Sequence, residues 1–151
     1  MSWERSIKDF KSYLQIERSL SDNSVQAYIR DIKKFANYAI TIDLSELKVA
    51  RIDVSNFLAQ INQEDISSRS QARIISGIKA FYKYLIMEGY LKINPTELIE
   101  SPKIGLKLPY TLSLIEIDKL IEAVDLSNKQ GERNRAILET LYSCGLRVSE
   151  L

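Results

Sequence analysis

Apolar residues recur along this chain every three or four positions, the spacing of helices that bury one face. Trp3, Ile7, Phe10 and Leu14 share such a stripe and predict a first helix ending near Arg18. Ser21 is placed to cap a second, in which Val25, Tyr28, Ile29, Ile32, Phe35, Ala36 and Ala39 repeat at helical spacing as far as about Ile40. Asp53 is the expected cap of a short third helix carrying Val54, Phe57, Leu58 and Ile61. A longer fourth helix is predicted from Ser67 or Ser68 to Glu88, closed by Gly89, a residue that tolerates the left-handed backbone found just past helix ends.

The periodicity then breaks. Asn94-Pro95, Ser101-Pro102 and Leu108-Pro109, with Gly105 among them, interrupt every helical pattern and mark a boundary. The chain therefore reads as a domain over 1–100, a linker over 101–110 and a second segment over 111–151. Ser113 and Glu116 form a capping box for a fifth helix with Ile117, Leu120, Ile121 and Val124. A sixth is expected from Glu132 to Ser143, ended by Gly145. Leu146 to Leu151 then reads as a helix cut short. The predicted class is all-α, a four-helix bundle followed by the first helices of another domain.

Composition narrows the function classes without naming one. At 151 residues and 45% apolar content the chain can bury a core, and its 21 basic and 20 acidic residues cancel, so any attraction for nucleic acid must be local. One cysteine excludes an internal disulfide, and the lack of histidine removes the commonest metal ligand and general base. No apolar run approaches the ~20 residues of a membrane span and the charged N-terminus is unlike a signal peptide, so a cytoplasmic protein without membrane contact is expected. No metal-ligand spacing or phosphate-cradling glycine loop is present.

The local charge lies on two helices. Between Ile66 and Met87 there is no acidic residue, while Arg69, Arg73, Lys79 and Lys83 fall within an arc of about 120° on a helical wheel, opposite Ile74, Ile75, Ile78, Phe81, Tyr82 and Leu85. The second helix repeats this more weakly: Arg30 and Lys34 oppose the apolar stripe, and Asp31 dilutes them. Two cationic faces fit a duplex, with Arg and Lys on phosphates and the helix-start residues Asn23, Ser24 and Ser68 reaching phosphate or base edges. An ordinary solvated face is the competing reading. A phenol can attack phosphorus, but Tyr28, Tyr82 and Tyr142 lie on apolar stripes without an evident base. Cys144, with no histidine to activate it, is expected to be a small buried residue.

Several segments resemble the Xer-like tyrosine recombinases and phage integrases, in order along the whole chain. Leu20-Ser21-Asp22-Asn23-Ser24-Val25-Gln26-Ala27-Tyr28 is similar to the family's second-helix pattern, and Phe81-Tyr82-Lys83-Tyr84-Leu85 with Asn94-Pro95 and Pro102-Lys103 to its fourth helix and linker. Leu108-Pro109, Leu112-Ser113 and Glu116-Ile117 resemble the opening of its catalytic domain. Most specific is Arg135-Ala136-Ile137-Leu138 followed by Leu141-Tyr142-Ser143-Cys144-Gly145-Leu146-Arg147-Val148-Ser149-Glu150-Leu151, where only Cys144 departs from the usual threonine.

The resemblance implies a SAM-like core-binding bundle that clamps double-stranded DNA, then the start of a catalytic domain. It implies that Arg147 is the first of two catalytic arginines, gripping the scissile phosphate, with Glu150 orienting it. The family's lysine, second arginine, later histidine or tryptophan and tyrosine nucleophile are expected beyond Leu151, so this stretch alone is not expected to cut DNA. It further implies no cofactor or small-molecule substrate, and a synaptic tetramer for the longer protein. A stand-alone helical DNA-binding protein and a helical protein-interaction module remain as other readings.

Overall fold

The apolar stripes become the inner faces of helices. The computed structural model describes residues 2–64, 66–105 and 109–151. Among them are α1 (Trp3–Ile16), α2 (Asp22–Thr41), α3 (Arg51–Gln63), α4 (Ser68–Met87), α5 (Leu114–Glu122) and α6 (Gly131–Cys144), and no strand. The chain forms two compact units, 1–105 and 106–151, the first holding α1–α4 and the second α5–α6.

Serines start most of these helices. The hydroxyls of Ser2, Ser21 and Ser67 accept N–H groups from the first turns of α1, α2 and α4, and Ser113 with Glu116 forms the expected capping box of α5. α3 begins earlier than its apolar pattern indicates. Ala50 occupies the cap position, and Asp53 sits inside the first turn, where its carboxylate accepts the Ala50 N–H at 2.8 Å. Asp53 thus serves the helix start as a negative charge beside the free N–H groups, not as the cap.

In the first unit the bulkiest fully buried side chains are aromatic. Phe10, Phe35, Phe57, Phe81 and Tyr82 have essentially no exposure, with Ile32, Ile61, Ile78 and Leu85 between them. Phe10 meets Phe81 edge-on at 5.4 Å, and Phe35 meets Phe57 at 5.1 Å and Trp3 at 5.8 Å, also edge-on. Each such side chain contributes about 1.5–3 kcal/mol by leaving water, and edge-to-face pairs add about 0.5–1.5 kcal/mol.

The segment between α2 and α3 is held down by polar contacts. The Trp3 indole donates to the Leu44 carbonyl at 2.9 Å, Ser6 donates to the buried Glu46 carboxylate at 3.1 Å, and the Tyr82 hydroxyl donates to the Glu46 carbonyl at 3.3 Å. Burial, with the charges of Glu46 and Asp53 adding to it, pushes the Tyr82 hydroxyl far above the usual phenol range. It is a structural donor, not a nucleophile. The chain beyond α4 also packs down: Pro95, Thr96 and Ile99 are buried, and Asn94 accepts the Thr96 N–H at 2.9 Å. Of the proposed linker over 101–110, residues 106–108 lie outside the described residues, Leu108 of the Leu-Pro pair among them.

α2 and α4 approach each other closely at Gly77. A Cβ there would lie 2.9 Å from the Cβ of Asp31. A mid-helix glycine costs about 1 kcal/mol relative to alanine, and the proximity of α2 explains its use.

The second unit buries much less. Gly131 is its one buried residue among those described, while Leu114, Ile115, Leu120 and Tyr142 are exposed. Cys144 is exposed too, contrary to expectation, because two helices cannot cover both of their own apolar faces. Gly145, at φ 63°, ends α6. The following residues form a single turn closed by Glu150 N–H donating to the Arg147 carbonyl at 2.8 Å.

Gly77→Ala tests the close approach. Its gain in helix propensity of about 1 kcal/mol should be outweighed by crowding that typically costs about 1–3 kcal/mol. The urea unfolding midpoint of the chain should fall; a rise would show that α2 and α4 separate freely.

Candidate nucleic-acid interface

The basic residues of α2 and α4 do not behave as one uniform face. On α4, Arg69 and Lys83 are exposed and Lys79 is half-buried, and none of the three has an ion pair among the described residues. Arg73 differs. Its guanidinium Nη1 donates to both carboxylate oxygens of Asp31 on α2, whose side chain is only 4% exposed while that of Arg73 is 43% exposed. The acid that seemed to dilute the cations of α2 instead lies between the helices. Arg73 and Gly77 both touch Asp31, so that side of α4 faces α2; on the wheel Lys83 and Lys79 lie about 120° and 160° from Gly77. The four-cation stripe of α4 is therefore divided between an α2-facing edge and an outward one.

On α2, Arg30 is exposed without an ion pair among the described residues, whereas Lys34 donates to Glu64, just past α3, at 2.8 Å. Lys33, absent from the residues expected by sequence, joins Arg30 and Lys34 around a shallow depression of about 360 Å³ that Gln26 and Asn37 also line. On the wheel it flanks the apolar stripe instead of opposing it, so an opposite-face criterion passes over it. Asn23 and Ser68 are exposed in the first turns of α2 and α4; Ser24 is half-buried and bonded to Ser21, with Oγ···Oγ 3.1 Å. The two helix starts match, since Ser67 meets Ser70 with the same 3.1 Å separation.

Burial pushes the Asp31 carboxyl above the usual carboxylate range, against the opposing pull of the Arg73 charge and hydrogen bond and, more weakly, of Arg30. Folding therefore works against ionisation of Asp31, although Arg73 offsets part of that cost. Its contribution to stability is largest below the ordinary carboxylate range and declines as pH rises through the raised value.

Within the second unit, Arg147 has a highly exposed side chain, and Glu150 holds it at two points. One carboxylate oxygen accepts from the guanidinium at 3.0 Å and the other from the Arg147 backbone N–H at 2.8 Å. The remaining guanidinium donors have no protein partner among the described residues. This leaves a fork of N–H groups suited to an oxyanion.

Residues 7–89 match the phage integrase N-terminal SAM-like domain family, and the chain belongs to it. It is 39% identical over 98% of its length to a tyrosine recombinase XerD of Staphylococcus haemolyticus (strain JCSC1435), and 40% identical over 98% to a tyrosine recombinase XerD of Oceanobacillus iheyensis. In each case the chain covers 50% of the relative, so it spans about half the length of these curated proteins. A solved integrase from mycobacterium phage Brujita shares the fold, with a TM-score of 0.60 and 20% identity over 95% of this chain and 46% of that one.

The Asp31–Arg73 pair is asymmetric, and its two ends should respond differently. Arg73→Ala strands a buried carboxylate and should cost about 3 kcal/mol, while Asp31→Asn leaves a partly hydrated guanidinium and should cost no more than about 1 kcal/mol. The Asn penalty should shrink as pH rises from the carboxylate range toward neutral. Urea titrations of both variants at several pH values measure this; equal penalties, or an Asn penalty that grows with pH, would contradict it.

Proposed function

We propose that residues 1–100 clamp duplex DNA as the core-binding part of a site-specific tyrosine recombinase, and that residues 111–151 begin its catalytic domain after a linker at 101–110. The longer protein would cut and rejoin duplex DNA through a covalent 3′-phosphotyrosine, without metal or nucleotide cofactor, in a synaptic assembly of four protomers. The observation that carries the DNA reading is the set Arg30, Lys33, Arg69, Lys79 and Lys83, which have no ion-pair partner among the described residues of a chain whose total charges cancel. Phosphate is the counter-charge such a set accepts. The tyrosine recombinases XerD to which the chain is similar support the same reading.

In this proposal Asn23, Ser24 and Ser68 meet the DNA backbone or base edges from the starts of α2 and α4. Arg147 holds the non-bridging oxygens of the scissile phosphate and stabilises charge as phosphorus becomes five-coordinate, while Glu150 keeps its guanidinium in place. In this reading the stretch 1–151 engages DNA through its bundle, in which Tyr82 is a buried hydrogen-bond donor.

Duplex binding by the chain should weaken linearly with log salt, and Arg69→Ala or Lys83→Ala should each lower the slope by about 0.9. Fluorescence anisotropy with a labelled duplex measures this; no binding at low salt, or unchanged slopes, would reject the clamp.

In the longer protein, Arg147→Ala should leave DNA occupancy near wild type while cutting the rate of covalent complex formation on a nicked suicide duplex by about 10² to 10³, and Arg147→Lys should restore only part of it. Wild-type trapping with alanine at 147 would leave Gly-Leu-Arg as a packing motif only.

A further inference from the structure

Arg73 sits on the proposed DNA-binding side of α4 but carries its own counter-ion. Asp31 is buried between α2 and α4, in space left by the missing side chain of Gly77, and both of its oxygens accept from one guanidinium nitrogen. The three N–H groups on the other two nitrogens have no protein partner among the described residues, and the side chain stays 43% exposed. A long cation that would ordinarily sample many rotamers is thereby held in one plane, with unused donors.

We propose that Asp31 is a positioning residue that converts Arg73 from a mobile surface charge into a fixed hydrogen-bonding fork for one DNA backbone phosphate. The proposal rests on the DNA-clamp reading and goes beyond it, since it assigns two kinds of cation to one interface. Arg30, Lys33, Arg69, Lys79 and Lys83 act by charge: each phosphate they neutralise releases counter-ions, which gives salt-sensitive attraction to any duplex. Arg73, already neutralised by Asp31, releases few or none. It contributes direction, because the ordering of its side chain was completed on folding and is not charged against binding. Asp31 thus lowers indiscriminate attraction at this position and sets the register of the chain on the duplex.

The test is duplex binding by the whole 1–151 chain across a salt series, by anisotropy, with folding of each variant checked by circular dichroism. Arg73→Lys keeps the charge and the ion pair but loses the fork; affinity should fall about tenfold at every salt concentration with the slope unchanged. Asp31→Asn frees the Arg73 charge; the slope should steepen by up to about 0.9 and low-salt binding of unrelated duplexes should tighten. A packing role alone would leave the Asp31→Asn slope where it is. Arg73→Lys binding like wild type, or Asp31→Asn with an unchanged slope, overturns the assignment. Arg69→Ala separates the two levels: a lower slope there alongside either of those results leaves the clamp standing and removes only the role of Asp31. Should Asp31→Asn fail to fold, the lysine variant decides. Absence of duplex binding by the wild-type chain overturns both.

Discussion

Much of the first unit depends on the contact of α2 with α4 around Asp31, Gly77 and Arg73. Gly77 removes the side chain that would hold the helices apart, and the space so made accommodates a carboxylate. A lone ionised carboxylate in that position would be costly, and Arg73 makes it tolerable by donating to both oxygens while its own outer edge stays in water. Burial still pushes the Asp31 carboxyl upward despite this partner, so desolvation outweighs the attraction. Such a pair adds little net stability compared with an apolar contact of equal volume. What it provides is registry, because the two groups meet at only one rotation and height of each helix.

The same contact redistributes charge over the surface. A chain with 21 basic and 20 acidic residues has almost no net field, so attraction for a polyanion depends on which cations lack partners. Arg73 and Lys34 are answered by Asp31 and Glu64; Arg30, Lys33, Arg69, Lys79 and Lys83 have no ion pair among the described residues. The cation set is thus smaller and differently placed than a helical wheel implies. It includes Lys33, beside a depression on α2 that also holds Arg30 and Lys34.

The second unit shows the opposite balance of forces. α5 is started by its Ser113–Glu116 box, whereas α6 begins at Gly131 after Gln130 with no side-chain cap, and several large apolar residues of α5 and α6 stay exposed. The capping box of α5 forms without a core around it. The turn after Gly145 nevertheless gives Arg147 a defined partner, since Glu150 binds both its backbone and its guanidinium over three residues. A short-range device of this kind needs no surrounding core.

What the amino-acid sequence by itself determined was everything that local spacing controls. The apolar stripes of α1, α2 and α4, the cap at Ser21, the capping box at Ser113, the helix end at Gly145 and the all-helical class were legible, because each depends on residues within a turn or two of one another. The Gly-Leu-Arg block and the cationic bias of α4 were legible for the same reason. Tertiary structure alone decided which charges are answered and which acids are buried. Asp31 and Arg73 stand 42 positions apart, as Lys34 and Glu64 stand 30 apart, and no helical wheel relates residues on different helices. It also decided that Cys144 remains exposed. Burial of Cys144 would require a neighbour that α5 does not supply.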